Sequence, residues 1–252
     1  MTAPFIPGAE PWSHQGDGPH GVLVLHGFTG NPGSMREMAQ AFAAAGHHVE
    51  MPCLPGHGTA VEDMLPTRWA DWLGECERAY AALAARSEKV VVAGLSMGGA
   101  LTLRLGANHP EIAGLVCVNP AAKAMPEEVL GMIEGMLADG TEVMPGIGSD
   151  IADPSAKEDA YEGTPLRPLL SMVREGVAPL EAEYAGMRMP LLLLTSPQDH
   201  VVEPAQADFL EQAYGGPVQR ILLERSYHVA TQDFDKQLIF DESVAFVRRV
   251  TA

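Results

Sequence analysis

Short apolar runs alternate with segments of helical periodicity from residue 20 to about residue 120, and again after residue 190. The first of them, GVLVL at residues 21–25, is almost wholly apolar, which is typical of a strand buried on both faces of a sheet. The predicted strands are residues 21–25, 47–51, 89–93, 114–118, 190–195 and 218–223. Helices between them make crossover connections, which join parallel strands. The pattern therefore predicts an α/β fold with a mostly parallel central sheet flanked by helices.

Helical periodicity is clearest between residues 67 and 86, where apolar side chains recur at intervals of three and four. Asn31 and Pro32 indicate another helix start, and the helix that follows is predicted to end before Gly46. The predicted helices are residues 33–45, 67–86, 95–108, 204–214 and 233–250.

The alternation stops between about residues 121 and 189. This stretch contains seven of the 13 methionines, many glycines and prolines, and no convincing strand. We interpret residues 1–252 as a single domain, with a cap insertion at about 121–189 over one end of the sheet. The alternative is an independent small domain, whose core would be weak because the stretch contains few aromatic residues.

Composition narrows the possible functions. The 252 residues carry 16 Lys and Arg against 33 Asp and Glu, a formal net charge of −17. This charge repels nucleic acids and anionic lipids, so we expect no nucleic-acid partner and no stable membrane insertion. Residues 1–16 lack the basic start and apolar block of a signal peptide. The three cysteines form no disulfide or zinc pattern, and we predict a cytoplasmic protein.

The strongest chemical signal is the segment GLSMGG, residues 94–99, between a predicted strand and a predicted helix. It contains the pattern G-x-S-x-G. In a strand–turn–helix setting this pattern holds the serine in a strained conformation, with its hydroxyl above the sheet. We therefore predict Ser96 as a catalytic nucleophile. The alternative is a glycine-rich helix start that only packs against the sheet.

A serine hydroxyl needs a base to accept its proton. His228, in SYHVAT, lies between the last predicted strand and the last predicted helix, where a loop can bring an imidazole over the strand ends. We favour His228 as the base, against a solvated loop histidine. The other histidines considered lie in the N-terminal stretch, at strand or helix ends, or in turns: His14, His20, His26, His47, His48, His57 and His109.

The base in turn needs an acid that fixes its tautomer. Asp199 follows the strand predicted at 190–195, at the sheet edge where parallel sheets carry functional residues. The order serine, aspartate, histidine along the chain is that of α/β-hydrolases. Asp233 and Asp235 are rivals, although their position near a helix start favours a role at the helix dipole.

A tetrahedral oxyanion needs two hydrogen-bond donors, and backbone amides are the usual source. We predict the amide of Met97, directly after the nucleophile, and the amide of Phe28 in the HGFTG loop after the first predicted strand. A plain glycine turn is the alternative for this loop. We find no metal-ligand spacing and no dinucleotide or phosphate-loop pattern, and we expect no cofactor.

These segments give the sequence a family likeness: it resembles the α/β-hydrolase superfamily, and most closely bacterial monoacylglycerol lipases and small carboxylesterases. The segments that carry the resemblance are GAEPW, VLVLHGFTGNPGSM, LPGHGT, GLSMGGALTL, IGSDIADPSAKEDAYEGTP, SPQDHVVEP and SYHVATQDFD. The resemblance implies the same triad and oxyanion donors, and it implies that the insertion is a small mobile cap over an acyl channel.

Within the cap, the resemblance implies that Ile147 lines the entrance and that Glu158 faces the polar head of a bound monoglyceride. The alternative for Glu158 is an ordinary solvated residue. The methionines of the cap suit flexible acyl chains, although core filling is the commoner use of methionine. The run MPEEVLGMIEGMLADG is richer in Met and Gly than the resemblance implies, which leaves the preferred chain length open.

We therefore expect a serine ester hydrolase that cleaves monoacylglycerols or short-to-medium-chain esters. The alternatives are a thioesterase, a lactonase or a C–C hydrolase with the same triad, and a ligand-binding homologue without catalysis. The predicted partner is a small-molecule lipid ester, with transient contact between the cap and a lipid interface. The predicted state is a monomer or a homodimer.

Overall fold

A computed structural model describes residues 3–252. Met1 and Thr2, which begin both the predicted domain and the N-terminal stretch, lie outside the described residues. The strands of the described chain are β1 (Trp12–His14), β2 (His20–Leu25), β3 (His48–Met51), β4 (Lys89–Leu95), β5 (Gly114–Val118), β6 (Val143–Pro145), β7 (Gly163–Pro165), β8 (Leu191–Thr195) and β9 (Val218–Leu222).

The helices include the predicted ones, with one short addition before residue 67 and three more between residues 121 and 189. They are α1 (Arg36–Ala44), α2 (Val61–Met64), α3 (Trp69–Ala84), α4 (Met97–Asn108), α5 (Glu127–Ala138), α6 (Leu166–Ser171), α7 (Ala178–Leu180), α8 (Ala205–Ala213) and α9 (Lys236–Thr251). The helix predicted at 33–45 is divided, because a 3-10 turn at Pro32–Met35 precedes α1. Asn31 caps that turn by accepting a hydrogen bond from the Gly33 amide.

Seven strands form one sheet in the order β1-β3-β2-β4-β5-β8-β9. All neighbouring strands are parallel except β1, which pairs antiparallel with β3. The mostly parallel sheet flanked by helices confirms the predicted fold class. The sequence pattern does not predict strand β1, because its three residues carry no apolar run and it forms by pairing with the edge of β3.

Each central strand contributes alternate side chains to two separate cores, because successive side chains of a strand point to opposite faces. In β2, Leu23 and Leu25 face the core that holds α3 and α4, whereas Val22 and Val24 face the core that holds α1 and α9. All four side chains are fully buried. The continuous apolar runs in the sequence thus reflect helices that cover both faces.

The segment between β5 and β8, residues 121–189, also contains secondary structure that the sequence pattern does not indicate. Strands β6 and β7 form a small antiparallel pair, so the expectation of no strand in this stretch is wrong. These strands have three residues each, which is too short for any periodicity to register. A π-helical stretch, Met172–Val177, joins α6 to α7. None of the helices within residues 3–252 combines the length and apolarity needed to cross a membrane.

Close backbone packing joins β4, α4 and β2 around the turn at Ser96. A Cβ atom at Gly98 would overlap the carbonyl oxygen of Leu25, and one at Gly94 would overlap the carbonyl oxygen of Gly98. Glycine at position 94 lets the start of α4 lie directly against the end of β4, and glycine at position 98 lets it lie against the end of β2. This packing brings the turn at Ser96 together with the loop that follows β2.

We expect Gly98→Ala to lower the free energy of unfolding by about 2–4 kcal/mol, because the added methyl group meets backbone that cannot move aside. Gly131→Ala is the matched control, since Gly131 lies in helix α5 and a methyl group added there would have no other atom within 4 Å. That control should be neutral or more stable by up to about 1 kcal/mol. Denaturant unfolding of the two variants measures the difference, and equal stabilities would contradict the packing argument.

Candidate active site

Ser96 occupies a sharp turn between β4 and α4. Its backbone has φ +58° and ψ −118°, a region that residues other than glycine rarely adopt. The turn is held by hydrogen bonds: the Ser96 amide donates to the Val118 carbonyl at 3.0 Å, and the Ser96 carbonyl accepts from Ala100 at 3.1 Å and Ala121 at 3.2 Å. Strained backbone that is held by its surroundings is typical of functional sites.

The structure pairs two of the predicted residues directly. His228 Nδ1 lies 2.7 Å from Asp199 Oδ2, and both side chains are almost completely buried. The other carboxylate oxygen of Asp199 accepts hydrogen bonds from the amides of Val201 and Val202, each at 2.8 Å. The carboxylate is therefore fixed by its own loop and fixes the imidazole in turn.

Ser96 and His228 line the same cavity, which has a volume of about 260 Å³. Within residues 3–252, no hydrogen bond joins the Ser96 hydroxyl to the imidazole. Such contacts are commonly long in free enzymes and tighten when substrate is bound. The described geometry thus brings the serine and histidine to one cavity and gives a direct bond only between the histidine and the aspartate.

The loop after β2 packs against the serine. A Cβ atom at Gly27 would lie 3.3 Å from Ser96 Cβ and 3.9 Å from Ser96 Oγ. In the part of the chain that the structure describes, the amides of Phe28 and Met97 donate no hydrogen bond to another protein group. The oxyanion role of these two amides stays a prediction, and neither amide is taken up by another group of the described chain.

His26 holds the peptide that carries the Phe28 amide. Its Nε2 accepts a hydrogen bond from the Leu54 amide at 3.0 Å, so its Nδ1 carries the proton and donates to the Gly27 carbonyl at 2.9 Å. Burial lowers the pKa of His26 to about 4, although the bond to Gly27 opposes the shift. The neutral ring therefore keeps this arrangement at neutral pH.

The rival acids serve structural roles. Asp233 accepts hydrogen bonds from the amides of Ala152, Asp153, Tyr227 and Phe234 at 2.7–3.0 Å. Asp235 binds the amide and guanidinium groups of Arg225 and the hydroxyl of Ser226.

The other histidines considered do not line the cavity of Ser96. His109 pairs with Glu77 and Glu111, and His48 accepts a hydrogen bond from the Gly16 amide. His57 is buried beside Pro55, and burial lowers its pKa to about 3.

Sequence reasoning missed two residues that hold the histidine loop. Asn119 follows β5 and donates to the carbonyl of His228 at 2.9 Å. Asp150 accepts from the amide of His228 at 3.0 Å, and it also pairs with His200. The position of Asn119 directly after a buried strand is a signal that could have found it. Asp150 lies in the segment without periodicity, and its place in the stretch IGSDIADPSAKEDAYEGTP, which carries the family resemblance, is a signal that could have drawn attention to it.

Both residues assigned to the cap lie at the cavity. Ile147 lines it and has 65% of its surface exposed. Glu158 also lines it and is half-buried, with a carboxylate oxygen beside Gly30. The remaining wall is largely apolar and includes Met125, Met144, Leu169, Met172, Val173 and Val177.

No group of three or more His, Cys, Asp and Glu side chains that could hold a metal ion occurs in residues 3–252. Cys53, Cys76 and Cys117 are free thiols, and burial raises the pKa of each of them.

Comparison with known proteins places this geometry in a family. The family model described as Hydrolase_4, serine aminopeptidase S33, matches residues 19–235. The chain belongs to this family. A thermostable monoacylglycerol lipase of Bacillus sp. (strain H-257) is 43% identical to this S33-family chain, over 96% of each sequence. A carboxylesterase of Bacillus subtilis (strain 168) is 26% identical, over 96% of this chain and 97% of the relative.

A solved structure from work on two metagenome-derived lipolytic enzymes, LipS and LipT, superimposes with a TM-score of 0.92 at 39% identity. The match covers 98% of the S33-family chain and 100% of that structure. The chain is an α/β-hydrolase.

Burial sets the charge state of Glu158 in this S33-family hydrolase. Loss of hydration raises the pKa of Glu158 from 4.5 to about 7, and the nearby His228 partly opposes the shift. The folded protein thus binds this proton more tightly than the unfolded chain does. The contribution of Glu158 to stability therefore falls as pH rises above about 4.5 and reaches its minimum above about 7.

We expect Glu158→Gln to be more stable than the parent protein at pH 8 by about 1–3 kcal/mol, because it removes a poorly hydrated negative charge. At pH 5, where Glu158 is protonated, the difference should largely vanish. Urea unfolding at the two pH values measures this. Glu162→Gln, at an exposed position of the same segment, is the control and should have little effect at either pH. A pH-independent difference for Glu158→Gln would refute the assignment.

Proposed function

We propose that this S33-family hydrolase is a monoacylglycerol lipase that works through an acyl-enzyme on Ser96. The chain is a carboxylic ester hydrolase, as its full-length similarity to the lipase and to the carboxylesterase indicates. The single observation that carries the proposed mechanism is the buried His228–Asp199 pair, whose histidine lines the same cavity as Ser96.

In the proposed reaction, His228 Nε2 takes the proton of Ser96 as its oxygen attacks the ester carbonyl. Asp199 holds the proton on Nδ1, which leaves Nε2 free to act as a base, and it stabilises the imidazolium that forms. The imidazolium then protonates the departing glycerol alkoxide. Water repeats the sequence on the acyl-enzyme, with His228 as base, and releases the fatty acid and Ser96.

The amides of Phe28 and Met97 stabilise the negative charge on the tetrahedral intermediate in this proposal. Both lack a protein partner in the described chain, and the first belongs to the peptide that His26 holds. Donors that are fixed before the reaction need no reorganisation when the charge develops.

The lining of the cavity supports an amphiphilic substrate. Its apolar side chains, among them Leu169, Met172 and Val177, suit an acyl chain, and Glu158 supplies a polar group in the same cavity. We assign Glu158 to the glycerol hydroxyls and Ile147 to the entrance. Near neutral pH a protonated Glu158 is able to both donate and accept a hydrogen bond, which matches a hydroxyl.

We assign residues 121–189 the role of a cap over this cavity, within a single domain. The apolar exposed side chain of Ile147 supports transient contact between the cap and a lipid interface. The cytoplasmic location and the monomeric or homodimeric state stay predictions.

Replacement of the nucleophile tests the reaction. We expect Ser96→Ala to fold and to lose about 10⁴-fold or more in kcat, because no other group is positioned to form the acyl-enzyme. Ser155→Ala, at an exposed serine, should keep parental activity. Hydrolysis of a p-nitrophenyl acyl ester and labelling by a fluorophosphonate measure the loss. Near-parental turnover or near-parental labelling of Ser96→Ala would contradict the proposed role of Ser96 as the nucleophile.

Replacement of Glu158 tests the substrate assignment. We expect Glu158→Ala to lower kcat/KM by about 10-fold or more on a monoacylglycerol, because the glycerol hydroxyls lose a hydrogen-bond partner in the cavity wall. The loss on a p-nitrophenyl ester of the same acyl chain should be several-fold smaller. Glu158→Gln, which still donates and accepts, should retain most activity on both substrates. Equal losses of Glu158→Ala on the two esters would remove the glycerol role.

A further inference from the structure

Both backbone polar groups of His228 are held by side chains from other parts of the chain. Asp150 Oδ2 accepts from the His228 amide at 3.0 Å, and Asn119 Nδ2 donates to the His228 carbonyl at 2.9 Å. The Asp199 carboxylate holds the imidazole itself. Three side chains thus fix one residue, and only Asp150 comes from the segment of residues 121–189.

The carboxylate of Asp150 also binds the loop of the acid. Its Oδ2 accepts from the amide of His200 at 3.1 Å, and its Oδ1 lies 2.8 Å from His200 Nδ1. His200 directly follows Asp199 in the chain. One carboxylate, with its side chain only 10% exposed, therefore ties the backbone beside Asp199 to the backbone of His228.

Further hydrogen bonds fix Asp150 relative to the histidine loop. Its carbonyl accepts from the amide of Val229 at 3.0 Å. Asp233, which follows His228 in the chain, accepts hydrogen bonds from the amides of Ala152 and Asp153 in the segment around Asp150. It also accepts one from the amide of Tyr227, next to His228. The segment around Asp150 is therefore hydrogen-bonded to the histidine loop at several points.

We propose that Asp150 is a positioning residue for ester hydrolysis, which keeps the His228–Asp199 pair aligned with Ser96. This inference rests on the proposed function. The bond between His228 and Asp199 fixes the ring relative to its acid, but it leaves the pair as a whole able to shift. Asp150 restrains that shift, because its carboxylate ties the His228 amide to the His200 amide in the loop that directly follows β8. Misplacement of a reacting group by about 1 Å costs up to about 100-fold in rate.

The experiment compares Asp150→Ala with Asp150→Asn. The asparagine oxygen occupies the place of Oδ2 and still accepts from the amides of His228 and His200, whereas alanine leaves both without a partner. Asp153→Ala is the matched control, because it removes a carboxylate from the same segment that binds only Ser155. Titration with a fluorophosphonate first counts the competent serines, and kcat and KM on a p-nitrophenyl acyl ester are then expressed per titrated site.

We expect Asp150→Ala to lower kcat per titrated site by about 10- to 100-fold, with KM changed less than about 3-fold. Asp150→Asn should recover to within about 5-fold of the parent, and Asp153→Ala should match the parent. If Asp150→Ala does not fold, Asp150→Ser replaces it, since its short side chain cannot span to the His228 amide.

Fewer titrated sites with parental kcat per site would show a purely structural role and overturn the proposal. A rise in KM alone would show substrate contact and would overturn it as well, as would equal losses in Asp150→Ala and Asp150→Asn. Failure of the proposed function is separate, because it would appear as activity that persists in Ser96→Ala.

Discussion

The close approach of helix α4 to strand β2 is the constraint on which the site depends. Glycine at positions 94 and 98 lets backbone meet backbone, where any side chain would overlap a carbonyl group. This contact forces the chain to turn within one residue, which leaves Ser96 at φ +58°. It also brings the loop of Gly27 and Phe28 beside the serine, so one packing interaction sets both the strained turn and its neighbouring amides.

Four aspartates near the site do different work because of the groups that face each one. Asp233 faces four amides and acts as a structural anchor, and Asp235 faces an arginine. Asp199 has one oxygen on amides of its own loop and the other on an imidazole. Asp150 joins two loops that the sheet alone would leave independent. A carboxylate takes its role from the donors around it, since its own chemistry is the same in all four.

Burial also decides which groups near the serine carry charge. His26 is held neutral, with a pKa of about 4, so it remains a fixed donor to the Gly27 carbonyl. The pKa of Glu158 is raised to about 7, which places a carboxyl group that titrates near neutrality in the cavity wall. The first shift stabilises the geometry of the proposed oxyanion site. The second supplies a polar group suited to a neutral, hydroxyl-bearing substrate.

The sequence by itself determined the parallel sheet, and it predicted Ser96 and Asp199 from the apolar runs that precede them and His228 from its loop between the last predicted strand and helix. Parallel strands bring their ends to one edge, so the pairing of His228 with Asp199 could be predicted from chain order. Strand β1 and the β6–β7 pair could not be predicted from the sequence, because three-residue strands form only by pairing with another strand. The role of Asp150 could not be predicted either, because its partner His228 lies 78 residues away in the chain. Only the tertiary structure brings the two residues together, since it packs an aperiodic segment against the edge of the sheet.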